Sequence, residues 1–124
     1  MGNEHVVPEL INKIKQSKNS VVKIKGTGNE KRSFIHIDDF VDAFDIIFKK
    51  GSHLQIYNIG TSEVINIKKL CKIIAKIMNK RIVIKSEPIA KGGTKLRCPN
   101  ILKIKKLGFK NKFNIFNGIE QVIK

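Results

Sequence analysis

The stretch that decides the fold is RSFIHIDDF at residues 32–40, followed by YNIGT at residues 57–61. An arginine leads into a short apolar strand, and an Asp-Asp step then opens a helix. Apolar residues recur along that helix at intervals of three and four, which indicates a buried face. The helix returns to a second apolar strand that ends in Asn58-Ile59-Gly60-Thr61. This order of elements predicts an α/β fold.

The remaining sequence predicts short strands alternating with helices. Strands are predicted at 22–25, 33–36, 54–59 and 82–84. Helices are predicted at 7–17 and 38–49, after Asn66, from 100 to 108 and after Asn114. We expect Asp38 to cap the second helix and Gly51 to end it, and we expect a loop over 88–93.

Length and composition limit the class of protein. The 124 residues suffice for one domain that buries about 65% of its unfolded surface. No apolar run approaches the ~20 residues of a bilayer-spanning helix. The sequence does not open on a charged segment followed by an apolar one, so we expect a cytoplasmic protein without membrane contact. Cys71 and Cys98 fit no metal-ligand spacing and indicate a reducing compartment. We therefore predict no metal site and interpret Cys71 as a packing residue.

The net charge of +15 suggests nucleic-acid binding as one interpretation. The 25 basic residues, however, comprise 22 lysines and only three arginines. The lysines are dispersed, and four of them form the solvent-facing side of one predicted helix: Lys68, Lys69, Lys72 and Lys76. Nucleic-acid sites rely on arginine and stacked aromatic rings, whereas this chain has one Tyr and no Trp. A solvated basic surface is the preferred interpretation.

Several segments in the same order resemble the carboxyl-terminal third of the extended short-chain dehydrogenase/reductase family, the NAD-dependent nucleotide-sugar epimerases and dehydratases. Besides the two opening segments, these are HVVP at 5–8, KGTGNEKRSF at 25–34 and RCPNILKIKKLGF at 97–109. The chain departs from the family pattern at Ser33, where an acid is common, and at Phe109, where Trp is common. Both positions are peripheral to the resemblance.

The resemblance implies a single domain over 1–124, the C-terminal substrate-binding portion of such an enzyme without its Rossmann cofactor half. The glycine-rich dinucleotide turn and the Tyr-x-x-x-Lys pair of the family do not occur in these residues, and Met1-Gly2 resembles the interior of a longer segment. We expect no catalytic residue and no cofactor in this chain, with NAD or NADP belonging to the complete enzyme. The chain alone is then expected to be inactive.

The resemblance also implies the site residues. Arg32 and Arg97 would clamp the diphosphate of a nucleotide sugar from two separate loops, and His5, Val6 and Lys25 would frame its base and ribose. Chemistry supports the arginines, since a guanidinium fork matches phosphate oxygens better than a mobile ammonium group. The alternative for both arginines and for Lys25 is an ordinary surface position.

Other polar residues have structural interpretations. His36 is expected to be a satisfied core residue within its strand. Asp38 and Asp39 are interpreted as capping residues rather than as paired catalytic carboxylates, because adjacent residues at a helix start face different ways.

Three functional hypotheses remain at this point. The first is the substrate-binding part of a nucleotide-sugar epimerase or dehydratase, with a possible separately encoded N-terminal NAD-binding half. The others are a stand-alone nucleotide-sugar-binding or regulatory module and a basic nucleic-acid-binding accessory protein. The helix at 38–49 is apolar over much of its circumference, so we also expect self-association. The sequence distinguishes neither the nucleotide base nor the reaction type.

Overall fold

The computed structural model describes residues 5–88 and 93–124, which form short strands between helices. In chain order the elements are α1 (Val6–Gln16), β1 (Val21–Lys25), β2 (Lys31–Arg32), α2 (Ile37–Lys50), β3 (Ile65–Asn66), α3 (Ile67–Ile77), β4 (Val83–Glu87), β5 (Leu96–Arg97), α4 (Leu102–Lys106) and α5 (Ile115–Ile123). The α/β class is as predicted. Most of the loop predicted at 88–93 lies outside the described residues. Within the described ranges, no helix has the length and apolar character needed to cross a bilayer.

Two small sheets join distant parts of the chain. β1 pairs with β4 in parallel, from Val21 opposite Val83 to Lys25 opposite Glu87. The second sheet has the order β3-β2-β5, in which β2 runs antiparallel to β3 and parallel to β5. In the parallel pair, Arg32 and Arg97 are register partners.

The larger core lies where α3 packs against α1 and α5, beside β1. α3 presents an apolar stripe to this core because its apolar residues recur at helical spacing. The most deeply buried members of this first core are Ile14, Val22, Ile24, Leu70, Cys71 and Ile74.

A second, smaller core lies between α2 and α4. Its buried members are Ala43 of α2, Ile104 of α4 and the flanking Ile101 and Phe109. It covers only one side of α2. The opposite side, the α2 face, leaves five apolar side chains exposed: Ile37, Phe40, Val41, Phe44 and Phe48.

The predicted helices are confirmed to within a few residues, with most of their end signals. Asn66 Oδ1 accepts a hydrogen bond of 2.7 Å from the Lys69 N–H at the start of α3. Asn114 Oδ1 does the same for the Asn117 N–H of α5, at 2.9 Å. Gly51 ends α2, donating its N–H to the Ile47 carbonyl. These side chains satisfy backbone groups that helix ends leave unpaired.

Two strand predictions were wrong. The strand expected at 33–36 lies at Lys31–Arg32, because pairing with both neighbours ends there and Ser33 makes the last hydrogen bond, to the Arg97 carbonyl. Residues 54–59 form no strand, since none of the described residues supplies a ladder partner. Leu54 instead adopts a left-handed φ of 58°.

The expected cap of α2 was also wrong. His36, not Asp38, is the N-cap residue, and its Nδ1 accepts a hydrogen bond of 3.2 Å from the Asp38 N–H. An imidazole nitrogen can therefore do here what a carboxylate was expected to do.

Candidate functional site

A cleft of about 210 Å³ opens between the start of α1, the end of β1 and the segment that leads into β2. Three of the five predicted site residues line it: Val6, Lys25 and Arg32. Glu9, Lys13 and Glu30 add further charged groups, and Leu10, Ile24 and Ile67 form apolar walls. We call this the arginine cleft.

Arg97 lies beside the arginine cleft rather than on an independent loop. Its strand is the parallel neighbour of the strand that carries Arg32, and the two arginines are in register. Register partners of adjacent strands point to the same face of a sheet. The sequence prediction placed the two on separate loops; the structure places them side by side on two-residue strands.

Both guanidinium groups lack a carboxylate partner among residues 5–88 and 93–124. Arg32 Nη1 donates to the Lys31 carbonyl at 2.8 Å, and Arg97 Nη2 donates to Thr94 Oγ1 at 3.4 Å. Each group thus retains free N–H donors. Two neighbouring guanidinium groups with free donors suit an anion that carries several oxygens.

The charges around the arginine cleft are unequally paired. Glu9 forms an ion pair with Lys13, one helical turn away, at 2.7 Å. Within the described part of the chain, Lys25 and Arg32 have no such partner. Glu30 also lines the cleft and has no ion-pair partner among the described residues. Three cations therefore face two carboxylates, and the lining keeps a net charge of about +1, which favours an anionic ligand.

The loop over residues 26–30, here called the glycine loop, borders the arginine cleft through Glu30. Gly28 has a φ of +81°, and a Cβ added there would lie 2.5 Å from Lys68 Cγ and 2.6 Å from Ile24 Cδ1. Only glycine fits this position without displacing neighbours. Glu30 closes the loop with its carboxylate, a role that was not predicted. The available signal was an acid two residues after Gly-x-Gly in a strongly basic chain.

His5 lies at a neighbouring cleft on the other side of the start of α1. It is exposed, precedes α1 and makes no capping hydrogen bond with its side chain. This second cleft, of about 490 Å³, is mainly apolar, and His36 and Phe113 contribute to its lining. Val6 borders both clefts. The structure therefore groups Val6, Lys25 and Arg32 and adds Arg97 through the sheet. His5 lies at the second cleft, which it shares with Val6.

His36 was expected to be a core residue within a strand, but it is partly buried, belongs to neither core and lies just before α2. Its side chain is 10% exposed and its ring stacks on Phe113 with centroids 4.1 Å apart. With Nδ1 accepting from a backbone N–H, the imidazole is held in one orientation. Its place is structural, at the junction of α2 with the segment before α5.

Asp39 was predicted to cap α2, and this was wrong. Its carboxylate is completely buried and accepts hydrogen bonds from the Lys112 N–H at 2.9 Å and the Phe113 N–H at 3.1 Å. Asp39 therefore binds the segment before α5 to α2. The signal for this role was its spacing: it lies four residues before Ala43, on the inward side of the helix.

Cys71 is buried in the first core, which agrees with its interpretation as a packing residue. Burial raises the pKa of its thiol to about 11. The described residues contain no group of three or more His, Cys, Asp or Glu side chains arranged to hold a metal ion.

Comparison with known proteins gives consistent matches. Residues 1–60 match the family model described as the NAD dependent epimerase/dehydratase family. The dTDP-4-dehydro-6-deoxyglucose reductase of Escherichia coli is 34% identical over 128 residues, and the alignment covers 99% of this chain and 39% of that protein. Probable GDP-L-fucose synthase 1 of Oryza sativa subsp. japonica is 28% identical over 125 residues, covering 98% and 38%.

A solved structure shows the same arrangement. The UDP-glucose 4-epimerase of Thermotoga maritima, determined with UDP-glucose, matches with a TM-score of 0.84 and 25% identity, over 96% of this chain and 38% of that one. The chain thus spans 38–39% of the length of these three proteins.

Proposed function

Because this chain belongs to the NAD-dependent epimerase/dehydratase family of extended short-chain dehydrogenases/reductases, we propose that it forms the substrate-binding portion of such an enzyme. In this proposal it holds the diphosphate of a nucleotide sugar between Arg32 and Arg97. The observation that carries the proposal is the register of β2 and β5, which makes these two arginines neighbours.

The ligand class follows from the chemistry of the arginine cleft. A sugar diphosphate carries two adjacent negative charges, and guanidinium groups bind such oxygens through paired hydrogen bonds. The relatives are named for dTDP-, GDP- and UDP-linked compounds, which share a diphosphate and differ in base. Val6 and Lys25, which line the same cleft, are proposed to contact the base or ribose. His5 is proposed only as a more distant contributor at the second cleft.

The redox chemistry is proposed to belong to a portion of the enzyme outside these 124 residues. These 124 residues contain neither a glycine-rich dinucleotide turn nor a Tyr-x-x-x-Lys pair, so no step involving NAD or NADP is assigned to a residue here. A cofactor-binding portion, on the same or a separate polypeptide, would supply that chemistry. The exposed α2 face is proposed as its contact surface, because five apolar side chains there are uncovered.

The test compares two arginine variants. Arg32→Lys keeps the charge but loses the fork, so we expect UDP, GDP and dTDP to bind about 5- to 20-fold more weakly, as measured by isothermal titration calorimetry. Arg81→Lys is the matched control, since Arg81 is exposed and lies outside both clefts.

Equal affinity of wild type and Arg32→Lys would refute the role of Arg32. Tight binding of mixed-sequence DNA that persists at high salt would instead favour the nucleic-acid alternative.

A further inference from the structure

The glycine loop contains an anion supplied by the protein itself. One carboxylate oxygen of Glu30 accepts hydrogen bonds from the Thr27 N–H at 3.1 Å and the Thr27 hydroxyl at 2.9 Å. The other accepts from the Gly28 N–H at 2.9 Å. Consecutive backbone N–H groups that converge in a turn form a concave anion-binding site. In this loop the site is filled by a side chain.

The hydrogen bonds keep that carboxylate charged. The pKa of Glu30 lies below its usual value: a hydrogen bond with its own backbone N–H lowers it most, burial opposes this, and the Thr27 and Gly28 groups lower it further. The internal anion is therefore present throughout the neutral range.

Backbone hydrogen bonds also hold the glycine loop against β4 and α3. The Gly26 N–H donates to the Glu87 carbonyl of β4 at 2.7 Å. At the start of α3, the Lys68 N–H donates to the Gly28 carbonyl at 3.0 Å and the Ile67 N–H to the Glu30 carbonyl at 3.2 Å. The loop thus bridges β4 and α3, and its last residue immediately precedes β2.

We propose that Glu30 is a positioning residue of the arginine cleft: by occupying the inner N–H groups of the glycine loop, it fixes the direction in which β2 leaves that loop and so the placement of Arg32. This inference rests on the proposed function, because the ligand concerned is the same nucleoside diphosphate. It also means that the Thr27 and Gly28 N–H groups are already satisfied. The phosphates must be bound by side chains rather than by the loop backbone.

Glu9 provides a matched control, because it is the other carboxylate that lines the arginine cleft. Simple electrostatics predicts that removing either negative charge strengthens the binding of an anion. If Glu30 positions Arg32, removing its carboxylate should instead weaken binding, and only at this residue. Glu30→Ala should weaken UDP and GDP binding about fivefold in calorimetry, because a displaced guanidinium loses its alignment with the phosphates. Glu9→Ala should increase the affinity, because it removes a negative charge and frees Lys13 from its ion pair.

A second measurement does not depend on the ligand. Amide hydrogen exchange in the free protein should be faster at Thr27 and Gly28 in Glu30→Ala, and at Arg32 as β2 loosens, while Glu9→Ala leaves these amides unchanged. Glu30→Gln, which preserves the size of the side chain, should show the same changes to a smaller extent and serves where the alanine variant folds poorly.

The proposal is overturned if Glu30→Ala binds as tightly as wild type or more tightly, or if the three amides exchange at unchanged rates. If wild type binds no nucleoside diphosphate, the proposed function fails, and with it the positioning of Arg32 for such a ligand. The exchange rates then still decide whether Glu30 fixes the loop.

Discussion

At the scale of single residues, the burial of Cys71 makes the free energy of unfolding depend on pH. Its thiol ionises near pH 9.0 in the unfolded chain, whereas burial in the first core raises its pKa to about 11. Between these values the unfolded state has lost a proton that the folded state keeps, so the free energy of unfolding must fall as pH rises. The stabilising effect is complete below pH 9 and is lost towards pH 11.

We therefore expect Cys71 to account for a loss of about 2 kcal/mol in the free energy of unfolding between pH 8 and pH 11. Urea unfolding over that range measures it. Cys71→Ala should be less stable at pH 8 because of the cavity it leaves, but it should lack this part of the pH dependence, so the difference between the two proteins should shrink towards pH 11. Lysine titration affects both proteins and cancels in the comparison. Identical pH profiles for the two proteins would contradict the prediction.

At the scale of elements, Asp39 determines how the segment before α5 is held on α2. Replacing it with Ala removes the acceptor of two part-buried hydrogen bonds, from the Lys112 and Phe113 N–H groups, and a donor left unpaired on burial costs about 1–3 kcal/mol. We expect Asp39→Ala to lower the free energy of unfolding by about 2–4 kcal/mol, measured by urea denaturation. Asp39→Asn keeps one acceptor and should fall between the alanine variant and wild type.

Asp38→Ala is the control for this prediction. Its side chain is 65% exposed, so the change should stay within about 0.5 kcal/mol of wild type. Similar losses in Asp38→Ala and Asp39→Ala would show that the two hydrogen bonds to Asp39 contribute little.

Asp38 and Asp39 also show which features of an element can be predicted from the sequence. Periodicity located the helices and the two asparagine caps, because these signals are local. It assigned both aspartates to capping, since the partners of Asp39 lie more than seventy positions away and no local pattern reports such a contact. The same limit explains the strands: β2 is defined by pairing with β3 and β5, whereas the apolar run at 54–59 has no partner among the described residues.

The sequence suggested residues for the candidate site but not their geometry. Arg32 and Arg97 were identified by their rarity in a lysine-rich chain and by family resemblance. Their adjacency depends on a parallel register between segments separated by roughly half of the chain. Glu30 was missed because its importance lies in hydrogen bonds to a folded loop rather than in its position in a motif.

At the scale of the whole molecule, the α2 face is the surface through which we expect association. Phe44 is 61% exposed and Phe48 is 82% exposed, and exposed side chains of this size favour contact with another apolar surface. We expect the wild-type chain to self-associate in sedimentation velocity, with a double variant, Phe44→Lys with Phe48→Lys, remaining monomeric at the same concentration. Since both side chains point away from the cores, stability should change by less than about 1 kcal/mol.

Leu102→Lys is the control, because Leu102 is an exposed apolar residue of α4 outside the α2 face. This variant should leave self-association unchanged. A wild-type monomer that melts cooperatively well above about 60 °C would contradict the expectation. That outcome would favour the stand-alone binding module over a portion that needs a partner.

The shortness of β2 and β5 has a further consequence. Two-residue strands make few backbone hydrogen bonds, so little besides neighbouring loops keeps these strands side by side. A diphosphate bound by Arg32 and Arg97 would act as a reversible crosslink between chain segments far apart in sequence, and it would reduce the entropy of the segment between them. Binding of the diphosphate and ordering of the two strands would then be coupled, and part of the binding free energy would stabilise the sheet. A change that weakens the pairing of β2 with β5 would therefore also lower the affinity for the nucleotide.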